Sequence, residues 1–497
     1  MSISQNLLSK STELIAILVI ILAGIITIAL FKEVNGAAFL NLDEMLWMRR
    51  ADIFKDHILS GNFSGLIQSS QPGIMVMWLA GPMMHLVDFF DFEVISGMIA
   101  FKEAQGLDFN SITNAHDPVI HSQFKEISFL FNLPFLAVIF SALLIGYHLL
   151  KKLGFNKNIS LIALTFAATT PWYMYFTTPS DKGLMIFMSL SLLFLMVCGN
   201  EQRRPTPLKD VGRLRSFLII SAVLAAWAVL SKLTALFFVF LVPFILLFYA
   251  WPLSKIKFKL LFKDCLIWIT IFFITLAIFL PTIISNPQEV IDFLIRPAPM
   301  ILEDSYQPLS YFSRIGEYLK EFILVIPGYM SPAPAIFFGL FIIIELTSFR
   351  KKSFLFCHSQ LDWESGTKHF IHYPYKILRK INGMSFKKFY HKFNIQSVSP
   401  RIPAFAGMTK NLVVLISYLI FFTLMTILLS YNHDIRFLAP VFIIMDILAA
   451  VAVYWLVEII RKKFNFKESI YSLVIFLLII TQMIYIVVNG AVFNHGL

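Results

Sequence analysis

Charge is scarce in this chain. Only 14% of its 497 residues are Asp, Glu, Lys or Arg, and 58% are hydrophobic. Soluble globular proteins average about 25% charged and about 45–50% apolar. A string of ordinary soluble domains is thereby excluded, and repeated membrane crossing is implied. Cysteine is scarcer still. Cys198, Cys265 and Cys357 stand far apart and form no CxxC, which excludes a disulfide framework and a zinc motif. No GxxxxGK[ST] phosphate loop occurs, so a donor held as a soluble nucleotide is disfavoured. Nor is there an internal repeat with helices broken at matching positions, the pattern of many transporters.

Long apolar runs are what the chain has instead. A crossing helix needs about 20 predominantly apolar residues. Eleven runs qualify, near 13–31, 127–150, 159–177, 182–198, 216–233, 235–250, 265–284, 324–348, 411–430, 437–459 and 469–489. The expected fold class is all-α and integral to the membrane, a polytopic bundle of about 11 transmembrane helices. The run from Leu14 to Phe31 is longer than a signal-peptide core and is read as a retained anchor. Segment 74–90 is apolar but short, and it contains Pro82, His85 and Asp88. It is expected to lie at the interface or to re-enter rather than to cross.

The net charge of +11 is explained by its distribution. With the N-terminus in the cytoplasm and 74–90 not crossing, Lys10 and the connections 151–158, 199–215, 251–264, 349–410 and 460–468 hold 29 of the 41 Lys and Arg. Lysine and arginine gather on the cytoplasmic side of membrane proteins. Topology and anionic lipid therefore account for the basic excess, and nucleic acid is not needed as a partner. Loops 32–126, 178–181, 285–323 and 431–436 then face outward. Three regions follow: 1–349 with its large outer loop, the insert 350–410, and the C-terminal helices 411–497. The insert is basic and aperiodic, and is expected to hold little fixed structure. Its pieces "FCHSQLDWESGTKHF" and "SPRIPAFAGMTK" resemble the translated product of an interspersed bacterial repeat element. Cys357, His358 and His369 within it fit no zinc spacing.

Five outward stretches carry candidate chemistry. In "NLDEMLWMRRADIF" (41–54), Asp43 and Glu44 precede Trp47 and Arg50. If helical, Asp43, Trp47, Arg50 and Phe54 share one face. A carboxylate there could deprotonate a hydroxyl, an indole could hold a sugar face and a guanidinium could hold phosphate. The alternative is an interfacial amphipathic helix with Trp47 at headgroup level. In "QPG" (71–73), Gln71 is the polar residue of a tight turn. In "TPSDKG" (178–183), Asp181 and Lys182 open a span, and Ser180 capping the helix with Asp181 favouring its dipole is the structural alternative. Lys232, in "LSKLT", sits in a short break between two spans, where an ionisable residue is costly unless paired, useful or snorkelling. "YNHDIRFLAP" brings His433, Asp434 and Arg436 before a span, with Arg436 at phosphate depth; a local Asp–Arg pair is the plain alternative. Asp446, deeper in that span, reads as packed against another helix.

Taken in order, these stretches resemble the integral-membrane glycosyltransferases of the GT-C fold. More narrowly they resemble the protein O-mannosyltransferases and lipid A aminoarabinose transferases. The resemblance rests on Asp43, Glu44, Trp47, Arg50, Phe54, Leu59 and Gly61, then "QPGIMVMW", "PWYMYFTTPSDKGLMIFMSLSLL", "VLSKLTALFFVFLVPF" and "IRFLAPVF". It covers most of the chain outside the insert. It implies sugar transfer, with inversion, from a polyprenyl-phosphate carrier to a protein, glycolipid or glycan acceptor. The site would face outward from a bacterial cytoplasmic membrane. Asp43 falls on the family's catalytic acid, expected as general base. Arg436 and Lys232 fall where cations would meet the carrier phosphate, and Lys182 is a weaker candidate. Gln71 stands where many relatives have His, and Gln cannot carry a proton at neutral pH. No cofactor is implied with certainty; a divalent metal is possible in this fold. The other readings are a flippase for lipid-linked sugar and a polysaccharide polymerase or ligase.

Overall fold

The computed structural model describes residues 3–35, 42–66, 73–87, 118–170, 179–201, 211–250, 255–295, 331–359, 405–429 and 438–496. All regular structure among them is helical. The helices are α1 (Ile3–Asn35), α2 (Leu42–Ser60), α3 (Ile74–Val87), α4 (Pro118–Lys152), α5 (Lys157–Thr169), α6 (Pro179–Glu201), α7 (Val211–Ser231) and α8 (Phe237–Ala250). Next come α9 (Lys255–Phe279), α10 (Thr282–Ser285), α11 (Pro287–Ile295), α12 (Pro332–Ser359), α13 (Phe405–Leu429), α14 (Ala439–Phe464) and α15 (Ile470–Gly496). Single 3-10 turns lie at Phe63–Leu66 and Leu233–Leu236.

Among the described residues, eight helical stretches are long and apolar enough to cross a membrane. They lie in α1, α4, α6, α7, the Leu233–Ala250 unit, α9, α14 and α15. Shorter apolar stretches occupy Pro332–Glu345 of α12 and Lys410–Met425 of α13. The chain is a multi-pass, all-α membrane protein. Aliphatic and aromatic side chains left exposed on α1, α9 and α15, such as Leu18, Phe262 and Phe476, face the acyl chains.

The run 159–177 departs from expectation. Its helix, α5, is only 13 residues long and stops at Thr169, with Thr170 extended at φ −73°, ψ 136°. Pro171 explains the stop, because its ring disfavours helical backbone in the residue before it. Asn156 caps the other end, its Oδ1 accepting from Asn158 N at 3.0 Å. From Ile159 to Thr169 every α5 residue is buried. The helix is apolar on all sides, and α1, α4, α14 and α15 surround it. Its Thr165 and Thr169 hydroxyls donate to the carbonyls four residues earlier, at 2.9 and 2.7 Å, so they cost little in an apolar setting.

Contacts sort the helix ends into two sets. At one end, Lys151 Nζ and Tyr147 Oη each lie 2.5 Å from Glu13 Oε1 of α1. Asn156 donates to Tyr454 Oη at 3.3 Å, and Tyr471 donates to Glu458 at 2.6 Å. Asn411 donates to the Leu153 carbonyl and accepts from Tyr249, at 2.7 and 2.5 Å. At the other end, Gly73 N reaches the Ser231 carbonyl at 3.2 Å, and Trp78 Nε1 the Phe279 carbonyl at 2.9 Å. Thr282 Oγ1 there reaches the Phe63 carbonyl at 2.6 Å. Helix α3 packs at this second end, against α2, α4 and α7. The chain leaves the second end again through α4, so 74–87 makes no net crossing. Helices α12 and α13 extend into the expected insert as far as Ser359 and from Phe405; residues 360–404, including His369, lie outside the described residues.

Candidate functional site

The site is built on α2 and α3. Trp47, Ala51 and Phe54 repeat at helical spacing along α2 and are almost wholly buried. They face α3: Phe54 meets Trp78 edge to face at 5.3 Å, and the Ala51 carbonyl lies 3.7 Å from where a Cβ on Gly81 would be. The edge-to-face series continues from Trp78 to Phe279 (5.9 Å), Trp227 (5.6 Å) and Phe187 (5.4 Å). Five rings thus fasten α2 and α3 to α9, α7 and α6, and such pairs add about 0.5–1.5 kcal/mol each beyond burial.

Trp47 has a particular seat. Gly73 carries a φ of +49°, and a Cβ there would fall 1.8 Å from Trp47 Cη2. Both the backbone angle and the space therefore demand glycine. The Arg50 guanidinium stands 4.8 Å from the Trp47 ring centroid, in cation–π range. With 2% of Trp47 exposed, the ring's visible task is packing rather than presenting an open sugar platform.

From Gly73 the contacts run on. Its N–H donates to the Ser231 carbonyl, and Ser231 Oγ donates to the Trp227 carbonyl at 2.8 Å. A Cβ on Gly183 would lie 2.6 Å from Ser231 Oγ, so α6 and α7 touch closely here. The next residue, Lys232, is extended (φ −155°, ψ 132°) between α7 and the 3-10 turn. Its Nζ lies 2.6 Å from Asp181 Oδ1, and the side chains are 8% and 1% exposed. Lys232 is thus a buried ion-pair partner rather than a snorkelling lysine. Asp181 answers it as well as the helix dipole. Helix α6 already begins at Pro179, and the buried Ser180 Oγ has no hydrogen bond among the described residues, so the structural alternative with Ser180 as cap does not hold. Lys182 is half-buried beside the pair.

Asp43 and Glu44 lie in the first turn of α2, and by register Asp43 precedes Trp47 by one turn on the same face. Gln71, His433, Asp434 and Arg436 lie outside the described residues. Asp446 is wholly buried within α14, as read from the sequence. Among the described residues no group of three His, Cys, Asp or Glu side chains is placed to hold a metal. Gly183 and Ser231 were not singled out by sequence reasoning, and Gly73 was read only as part of a tight turn. Their signal was there as small residues beside each candidate motif, since small residues permit close helix approach.

No family model matches the chain, and comparison with curated proteins finds no match. A solved structure that does match is an archaeal oligosaccharyltransferase, AglB from Archaeoglobus fulgidus, in complex with an inhibitory peptide and a dolichol-phosphate. Sequence identity is 12% and the TM-score 0.46, over 97% of this chain and 56% of that one. This chain therefore spans little more than half the length of that protein. Likeness at this level carries no argument about activity.

Proposed function

We propose that the chain is an inverting glycosyltransferase of the GT-C kind, taking sugar from a polyprenyl-phosphate carrier at the outer membrane face. One observation carries the reading. Motifs far apart in sequence — the α2 face, Gly73, Asp181 and Ser231-Lys232 — meet through unbroken contacts at one end of the bundle. Asp43 accepts the proton of an acceptor hydroxyl as that oxygen attacks the anomeric carbon. The bond from that carbon to the phosphate oxygen breaks on the opposite face, and polyprenyl phosphate leaves. A phosphate leaving group needs charge stabilisation more than protonation. Lys232, already paired with Asp181, brings no net charge to that phosphate. Arg436 therefore supplies the neutralising charge, and Lys232 a directed N–H donor. Trp47 and Arg50 hold α2 on its glycine seat, which fixes the base. Glu44, Gln71, Lys182, His433 and Asp434 are placed by the reading around acceptor and donor, and a divalent metal is compatible with it.

The test is sugar transfer by purified, reconstituted protein. The donors are a panel of polyprenyl-phosphate sugars, offered with an envelope acceptor extract to wild type and Asp43→Asn. Transfer by wild type that falls at least about 100-fold in a folded Asp43→Asn supports the base. Equal transfer by both removes Asp43 from that role. Lipid binding and translocation without transfer in either protein would favour a flippase.

A further inference from the structure

A crevice of about 480 Å³ lies at the end of the bundle opposite the candidate site, between residues 12–20 of α1 and the starts of α5 and α15. Its floor is apolar, made by Ala16, Ile20, Ile475 and Ile479. Its mouth is polar, with Asn156, Lys157, Glu468 and Ser472 among the lining groups. From Tyr471 to Ile479 the lining follows α15 for about 12 Å, close to the depth of one leaflet of a hydrocarbon core of about 30 Å. The neighbouring faces of α1 and α15 expose Leu18 and Phe476, so the crevice opens sideways to acyl chains rather than only to water.

The rim is positive. Glu13 is met by both Lys151 and Lys157, at 2.5 and 3.5 Å. Glu458, which accepts from the crevice residue Tyr471, is met by Arg461 and Lys462, at 2.7 and 3.4 Å. Lys463 and Lys467 adjoin them, with Glu468 the third acid. Around the crevice, six cations thus accompany three carboxylates, a surplus of three, with Lys157 and Glu468 the two charged groups that line it directly. The capped start of α5 also opens there, adding the positive end of a helix dipole.

We propose that this crevice is a binding site for an anionic glycerophospholipid of the leaflet on the basic side of the protein. One acyl chain lies along the floor between α1 and α15, and the headgroup phosphate sits by Lys157 at the start of α5. A soluble anion would leave the apolar floor in water, and a zwitterionic lipid would forgo the surplus charge. The proposal is independent of the catalytic reading.

The experiment offers full-length protein in mild detergent equimolar phosphatidylglycerol and phosphatidylcholine with matched chains, and counts retained lipid by native mass spectrometry. Wild type is expected to retain phosphatidylglycerol preferentially. Lys157→Gln should reduce that preference about fivefold, the effect of one lysine near an anionic surface. Ile475→Trp fills the floor and should remove the tightly held lipid. Lys259→Gln, an exposed site on α9, should change neither. Equal retention of the two lipids by wild type overturns the proposal. So does a preference that survives both Lys157→Gln and Ile475→Trp. Should Lys157→Gln fail to fold, Ile475→Trp with an unchanged thermal transition decides alone.

Discussion

At the scale of the residue, Gly73 and the Asp181–Lys232 pair make the sharpest predictions. Gly73→Ala must displace the Trp47 ring and strain a positive φ, so it should destabilise the protein by about 1–3 kcal/mol or more, read as thermal unfolding in detergent. Asp181→Leu and Lys232→Met should each cost about 3–5 kcal/mol, because each removes one partner of a buried ion pair. The double variant should cost much less than their sum. If the pair is only structural, that variant regains sugar transfer with its stability; under the proposed role transfer stays lost. Each of these residues looked odd in the sequence, a lysine between spans and an aspartate at a mouth. Their partnership was not legible, since 51 positions separate them and periodicity gives faces, not neighbours. Gly73 was legible as a turn, but nothing local announces that an indole rests on it.

At the scale of the element, the α6–α7 interface explains why two spans lie so close. Ser191 Oγ donates to the Ser221 carbonyl at 2.7 Å, Ser221 Oγ can donate to the Ser191 carbonyl at 2.9 Å, and Trp268 of α9 donates to Ser221 Oγ at 3.2 Å. Removing both hydroxyls as the alanine pair should cost roughly 0.6–1.7 kcal/mol per lost bond, measured as a fall in thermal stability. Gly183→Ala should cost about 1–3 kcal/mol, and Ser231→Gly in the same chain should return most of it. The helices themselves were legible because each lipid-facing run must be long and apolar. The true end of α5 was not, because the hydropathy of 171–177 runs on past Pro171. A single proline outweighs that signal through the backbone alone.

At the scale of the whole molecule, the two-ended sorting of contacts agrees with the alternation read from lysine and arginine. It makes a prediction without reference to catalysis. Single cysteines at Lys467 and Glu289, placed in a chain with its own three cysteines replaced, should react with an impermeant maleimide from opposite sides of sealed vesicles. Labelling of both from one side would refute the alternation. The candidate site was legible as a list of motifs in order. Its assembly was not, because it depends on α2 and α3 folding back onto α7 rather than on any property of one segment.

The burial of α5 also has a cost in time. At 13 residues it is about 20 Å long, too short to cross a core of about 30 Å as a helix, and it shows no face to lipid. Two of the helices that enclose it, α14 and α15, come some 270 residues later. At about 5–20 residues per second, the ribosome takes roughly 15–55 s to supply α14. Until then α5 needs a temporary host, in the insertion machinery or in a hairpin with α4. Nascent chains stalled before Ala439 should therefore cross-link from α5 to the insertion machinery, and finished chains released from the ribosome should not. Cross-linking that is the same at both lengths would mean that α5 is sheltered from the start. In this protein the order of manufacture, and not only the final packing, limits which substitutions in α5 a cell can tolerate.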